Sequence, residues 1–306
     1  MMKPFDLLVA GEINPDLILS GDVVPVFGQV EKLVDTAALT VGSSSVIFAC
    51  GAARLGLRVA FVGVCGDDVF GRFMLEEMDK RGVDISHVIR IPGGQTGLTV
   101  ILNTGADRAM LTHAGLIASL RADQLPDELL SQARHLHVAS YFLQTALQPG
   151  LPDLFRRARA LGLTTSLDTN WDPAEQWTGV RELLPLTSVF LPNHTEARAL
   201  TGETDPRAAA SALASAGGTV AVKLGADGAL GVQGDQVMQV SSIPVRVVDT
   251  VGAGDTFDAG FVYGFLQGWE LETCLRLGAV CGALSTEKLG GTDGQPGLEI
   301  AMRNVA

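Results

Sequence analysis

The chain has 306 residues, 36 of them Gly, with 18% charged residues and a formal net charge of −12. That length fits one large α/β domain or two ordinary ones, and the composition is that of a packed chain, with nothing pointing to disorder. An acidic chain without a basic block is a poor partner for nucleic acid or an anionic membrane surface, although backbone dipoles can still hold a phosphate locally.

The N-terminal MMKPFDLLVAGEIN carries an apolar run too short for a secretion signal, and FDLLVAG (5–11) predicts a buried strand. No run of about 18 apolar residues follows, so no membrane helix is expected and the cytoplasm is the expected location. VGSSSVIFACGAARLG (41–56) predicts a helix of small residues with Gly56 as its stop. RVAFVGVCG (58–66) predicts a second buried strand. Asp67 and Asp68 can cap the next helix, whose face is Phe70, Phe73, Met74 and Met78, ending at Gly82.

IRIPGGQTGLTVILNTGADRAMLTHAG (89–115) changes character, with Thr- and Val-rich segments and a hairpin through NTGADR. Together with residues near 13–36 it predicts a small separate β-layer. Strands then recur at HLHVAS (135–140), TTSLDT (164–169), SVFLP (188–192) and TVAVKLG (219–225), followed by a hairpin of ALGVQG and VMQVSSIPV. Helices fill the gaps. Near-continuous apolar strands alternating with helices imply a mostly parallel sheet covered on both faces. Cys50, Cys65, Cys274 and Cys281 show no C-x-x-C spacing and read as buried free thiols. His135 and His137 alternate on a strand without a third ligand, which favours two satisfied histidines over a zinc site.

The densest chemistry lies in DTVGAGDTFDAGFVYGF (249–265). VRVVD (245–249) reads as a strand entering a tight turn, and Phe257, Phe261 and Phe265 then repeat at helical spacing, with Trp269 next. The N-terminus of such a helix offers free N–H groups and the positive end of its dipole. Gly252, Ala253 and Gly254 leave those N–H groups open to an anion, and Asp255 stands at the mouth of the hole to take a proton from a hydroxyl. Base and charge sink side by side suit phosphoryl transfer to an alcohol. In isolation the same residues make an ordinary Asp-capped helix entered by a flexible turn. Asn193 and Glu196 in LPNHTEARAL form a capping-box pattern, and KLGADGAL (223–230) reads as a hairpin turn. Asn14 and Asp16 follow the first strand, where a carboxylate can accept hydrogen bonds from two adjacent hydroxyls.

DTVGAGDTFDAGF resembles the C-terminal signature of the ribokinase, or PfkB, family of carbohydrate kinases, and AARLGLRVAFVGVCGDDVFG (52–71) is similar to the family's earlier glycine motifs. The resemblance runs in order from the first strand to about residue 296. It implies a ribokinase-like α/β fold over residues 1–306, with a β-lid from about 12–38 and 90–113. It also implies an ATP- and Mg²⁺-dependent sugar kinase, related to ribokinase, fructokinase and ketodeoxygluconate kinase. Asp255 becomes the base and Gly252, Ala253 and Gly254 the anion hole. Asn193 lies near the nucleotide phosphates, Glu196 places magnesium through water, and Lys223, Gly225 and Gly228 line the ATP site. Asn14, Asp16, Gly42, Ser43, Ser44, Asp168 and Asn170 face the sugar. Asp249 and the Val251 backbone match a monovalent-cation site for K⁺. Related proteins pair their lids, which implies a homodimer.

The sequence departs from the family at three positions. Ser43 replaces a Gly, Ile47 stands where a sugar-contacting Asn is usual, and Ala279 replaces an Asn near the adenine. The loss at position 47 puts ribose itself in doubt and, with the apolar FACGAA face, keeps a nucleoside kinase open. A non-catalytic sugar- or nucleoside-binding relative is the alternative from another class, and the intact Asp255, anion hole and Asn193/Glu196 pair favour the enzyme over it. Other nucleotide enzymes are excluded: there is no G-x-x-x-x-G-K-[ST], no H-R-D or D-F-G, and GEINPD follows the first strand where a dehydrogenase has G-x-G-x-x-G.

Overall fold

The computed structural model describes residues 3–105 and 107–305. Strand β1 (Phe5–Ala10) runs through the middle of the molecule, and its side chains alternate between two cores. Leu8 and Ala10 join one core with Leu136, Val138 and Phe155. Leu7 and Val9 join the other with Phe48, Phe61, Phe257 and Phe261. A sheet buried on both faces needs apolar residues at consecutive positions, which is what the run LLVA supplies. Each fully buried side chain of this size contributes about 2–3 kcal/mol.

Two short strands, β2 (Pro15–Ser20) and β3 (Thr36–Val41), pair antiparallel before α1 (Ser44–Arg54) begins. Ser43 Oγ accepts from Val46 N to cap α1, and Gly56 follows its end at φ +100°. The expected strand 58–66 is broken at Gly63 into β4 (Val59–Val62) and β5 (Val64–Gly66). A Cβ on Gly63 would meet Gly11 O at 2.6 Å, so the chain crosses close to β1 there. Helix α2 (Val69–Lys80) is capped by Asp68 and buries Met74, Leu75 and Met78. Strand β6 (Val83–Asp84) closes the edge of the main sheet. β7 (Ile89–Ile91), expected in the lid, instead pairs with β5 in a separate two-stranded sheet. The small sheet is completed by β8 (Leu98–Asn103) and β9 (Arg108–His113), in the order β3-β2-β8-β9. Ala106, which falls between β8 and β9 in the sequence and within the expected NTGADR hairpin, lies outside the described residues.

The remaining units return to the main sheet. They are α3 (Asp127–Leu130), β10 (Ala133–Val138), α4 (Leu151–Ala160), β11 (Thr164–Leu167), α5 (Val180–Leu183), β12 (Val189–Phe190), α6 (His194–Thr201), α7 (Pro206–Ala214) and β13 (Thr219–Lys223). The hairpin β14 (Ala229–Gln233) and β15 (Gln236–Val240) ends the sheet, before α8 (Ala253–Leu266), α9 (Leu271–Ser285) and α10 (Leu298–Met302). The nine strands lie in the order β15-β14-β13-β12-β11-β10-β1-β4-β6. All neighbours from β13 to β6 are parallel, while β14 and β15 are antiparallel. Residues 245–249 form no strand. Val248 N and Asp249 N donate to Thr286 O at the end of α9, so this Val-rich segment ties a helix terminus and leaves Val247 and Val248 exposed. Among the described residues, no helix is long and apolar enough to cross a membrane.

Candidate active site

In a parallel sheet all strands point one way, and the loops at their carboxyl ends enclose a cleft. Here Glu12, Asn14, Ser140, Asp168, Asn170 and Asn193 follow β1, β10, β11 and β12, and they line one cleft of about 790 Å³. The small sheet covers it with Thr99, Ile101, Arg108, Met110 and Thr112.

Helix α8 aims its N-terminus into this cleft. Gly252 adopts φ +71°, and a Cβ there would lie 2.8 Å from Gly291 Cα and 2.9 Å from Ile47 Cγ2. The left-handed turn and the tight packing both require glycine. At Gly254 a Cβ would meet nothing closer than the Lys223 side chain at 3.6 Å, so that glycine leaves open space at the cleft. Ala253 opens the helix behind them, and its N–H reaches back to Thr250 O. Among the described residues the N–H groups of Gly254 and Asp255 have no acceptor. Asp255 is 9% exposed, and burial, followed by the charge of Asp168, pushes its carboxyl up to about 7.

Beside the base lies an ion cluster. Lys223 Nζ donates to Asp168 Oδ2 at 2.9 Å and to both carboxylate oxygens of Asp258 at 3.1 Å. Burial disfavours the ammonium, but Asp168 and Asp258 outweigh it and raise the Lys223 pKa. Burial raises Asp258 well above the carboxylate range. It acts the same way on Asp168, where Lys223 and hydrogen bonds prevail and the net direction is down.

Asn193 and Glu196 form the capping box at α6. Glu196 N donates to Asn193 Oδ1 at 2.9 Å, and Asn193 N and Nδ2 donate to Glu196 Oε2 and Oε1 at 2.9 and 2.6 Å. Burial, with Asp168 nearby, pushes the Glu196 carboxyl up to about 7. Gly225 lines the cleft, whereas Gly228 does not; its Cβ would lie 2.0 Å from Val240 O, so its lack of a side chain serves the β13–β14 turn.

Toward the small sheet, Asn14 Nδ2 donates to Thr99 Oγ1 at 3.3 Å, and Asp16 is 7% exposed with its carboxyl pushed up to about 7 by burial and then by Asp255. Gly42 lies behind Asp16: a Cβ there would sit 2.3 Å from Asp16 Oδ1. Ser43, at φ +66°, donates to Glu12 O and Oε1 at 2.7 and 2.9 Å. Asn170, at φ +53°, donates to Ser44 Oγ and keeps Oδ1 buried without a partner among the described residues.

The sequence matches the description "pfkB family carbohydrate kinase" over residues 6–297. The chain belongs to that family. It is therefore a phosphotransferase with an alcohol acceptor. It is 34% identical to the 2-dehydro-3-deoxygluconokinase of Bacillus subtilis over 267 residues, covering 82% of each chain. The structure of Arabidopsis thaliana ribokinase complexed with ribose and ATP superposes with a TM-score of 0.85 at 26% identity, covering 100% of this chain and 99% of that one. An E. coli putative ribokinase II in complex with ATP and Mg²⁺ has a TM-score of 0.86 at 22% identity, covering 98% and 99%.

Several parts of the kinase cleft are invisible to sequence reasoning. Glu12 is 2% exposed and accepts from Ser43 Oγ, Ser45 N, Ser45 Oγ and Ser140 Oγ, so one carboxylate knits the ends of β1, α1 and β10. In the sequence it only interrupts an apolar run, because its three partner serines all come from elsewhere in the chain. Asp258 had a usable signal, being three residues beyond Asp255 and on the same helix face. Lys223, placed along the ATP site by the resemblance, is held by two carboxylates, and Asp168, expected to face the sugar, turns toward Lys223. Ile47 fills the space between Gly252 and Gly291, which explains how an apolar residue is accommodated at the cleft floor. Asp249 is outside the cleft lining: Oδ1 accepts from Val251 N at 3.1 Å and Oδ2 from Gly290 N at 2.9 Å.

Proposed function

We propose that this kinase phosphorylates one hydroxyl of a small sugar or sugar acid from ATP, with Asp255 as the general base. The observation that carries the reading is the adjacency of Asp255 to two open N–H groups at the start of α8, inside a cleft that also presents Asn14, Asp16 and Asn170. Asp255 takes the hydroxyl proton as the oxygen bonds to phosphorus and the bond to the ADP oxygen breaks. The Gly254 and Asp255 N–H groups and the helix dipole stabilise the charge that spreads over the transferred group. Closure of the small sheet excludes water and limits hydrolysis.

The donor half fits a magnesium nucleotide. Glu196 is buried and oriented by Asn193, so its carboxylate can hold a hydrated cation, and a divalent ion bound there would offset phosphate charge. Asp249, with the Val251 backbone, is our candidate for K⁺ activation; equal rates in sodium, potassium and choline buffers would remove it.

We also assign a homodimer through the small sheet. Its register puts Leu17, Leu19, Leu39, Val100, Leu102 and Leu111 on the face opposite Asp16 and Thr99. Leu39 and Leu111 are 39% and 61% exposed. A continuous apolar face on a thin sheet calls for a partner, and a second copy offers the same surface by symmetry.

The test of function is ADP release with ATP and Mg²⁺ over ribose, fructose, ketodeoxygluconate, ribose 1-phosphate, adenosine and cytidine. Acceptor-dependent release is expected with a sugar or sugar acid and is expected to vanish in Asp255→Ala. Release with nucleosides alone would replace the sugar assignment by a nucleoside kinase. An Asp255→Ala variant with wild-type turnover would overturn the base.

A further inference from the structure

The Lys223, Asp168 and Asp258 cluster has no place in the mechanism above. It is also more than a remote buried ion pair. One oxygen from each of Asp168, Asp255 and Asp258 lies within 4.8 Å of the others, so the cluster shares its space with the base. A methyl on Gly254 would lie 3.6 Å from Lys223 Nζ, which sets the ammonium against the glycine that opens the anion hole. Three elements converge to build this arrangement: Lys223 ends β13, Asp168 follows β11, and Asp258 sits one turn along α8.

We propose that Lys223 is a catalytic cation that contacts the transferred phosphoryl group, and that Asp168 and Asp258 are the residues positioning its ammonium beneath the anion hole. The inference rests on the phosphoryl-transfer reading. Its physical basis is the hydrogen-bond count. An ammonium has three N–H donors. One goes to Asp168, and the other two both go to Asp258 at equal distances. The second bond to Asp258 is redundant for holding the chain, so one donor can turn to a phosphoryl oxygen while each carboxylate keeps its own. The backbone N–H groups of α8 supply only partial charges, whereas Lys223 adds a full charge in a site shielded from water, where it acts most strongly.

Buried charge clusters often add little to stability over apolar packing of the same volume, although removing one member alone leaves charge unpaired. The two roles separate in kinetics. A structural cluster governs the folded fraction; a catalytic cation governs turnover by folded enzyme.

The experiment uses the full chain and the best acceptor from the panel, measuring kcat, both KM values, ATP binding by calorimetry and melting temperature. Lys223→Met is expected to lower kcat about 100-fold, the loss typical of removing one donor to a developing oxyanion, with KM for ATP and acceptor within about threefold. Lys223→Met strands two carboxylates and risks misfolding. Asp258→Asn keeps the side-chain shape and leaves Lys223 paired with Asp168, so it carries the test in that event; about a tenfold loss in kcat is expected at unchanged KM. The double variant is expected to be no slower than Lys223→Met, because Asp258 acts through the lysine. A folded Lys223→Met or Asp258→Asn enzyme with wild-type kcat would overturn the inference alone, as would losses confined to KM. A wild-type chain that neither binds nor turns over ATP would remove the kinase reading and this inference with it.

Discussion

Gly252 and Gly254 stand two residues apart and lack side chains for opposite reasons. Gly252 is constrained by the fold: its φ is positive and Gly291 Cα crowds its Cβ direction. Gly252→Ala is expected to lower the unfolding free energy by about 2 kcal/mol, within the range for a strained backbone site. Gly254 has room for a methyl and sits in the first turn of a helix, where Ala is favoured over Gly. Gly254→Ala is therefore expected to melt at or above the wild-type temperature yet lose at least about tenfold in kcat, because the methyl occupies the anion hole. Equal losses of stability and activity at both positions would contradict the division. Asp255 yields a further expectation. Burial holds its carboxyl near 7, and a base works only when ionised, so kcat/KM is expected to fall as pH drops through about 7. The charged groups around it are Asp168, Lys223, Glu12, Asp16, Glu196 and Asp258. A profile flat down to pH 5 would exclude Asp255 as the base.

At the scale of one element, β10 carries two fully buried histidines. His135 bonds Thr164 Oγ1 and Ser166 Oγ at 2.7 Å, and His137 bonds Ser166 Oγ at 2.7 Å and stacks on Phe48 with ring centroids 3.6 Å apart. Among the described residues His137 Nε2 has no partner, so only one of the two histidines is fully satisfied there. Burial drives His135 down to about 3 and His137 well below its usual value. The unfolded chain takes up protons below about pH 6.5, while the native histidines stay neutral, so this contribution to stability is present above 6.5 and is lost as pH falls toward 3. The carboxyls of Asp16, Asp255 and Glu196 act the other way, taking up protons first in the native state. The histidine effect is therefore read as a difference. Between pH 7 and pH 5, wild type is expected to lose about 2 kcal/mol of urea-unfolding free energy relative to His135→Gln. Identical pH dependence in the two proteins would contradict the assignment.

At the scale of the whole molecule, the outer apolar face of the small sheet predicts a dimer in sedimentation, with Leu111→Lys shifting it to monomer. A monomeric wild type at micromolar concentration would end that proposal. Only the assembled molecule reveals this face, because alternate residues of β2, β3, β8 and β9 show their common side only once the register is known. The same limit explains the misread segments. VRVVD has the composition of a strand, but it lies where no neighbouring strand offers a ladder, and Thr286 O takes its amides instead. The small-sheet strands were legible as Thr- and Val-rich runs; that Ile89–Ile91 would pair with Val64–Gly66 was not.

What the sequence determined by itself is local chemistry. The glycine turn before Asp255, the Asn193 and Glu196 capping box and the apolar parallel strands are all set by residues a few positions apart, where backbone sterics and helix-end hydrogen bonding act directly. What only the tertiary structure decided is which distant groups share a low-dielectric space. Glu12 gained its serines, Asp168 its lysine and Lys223 two carboxylates because strand ends far apart in the chain converge on one cleft, and burial there makes each unpaired charge costly enough to fix its partner.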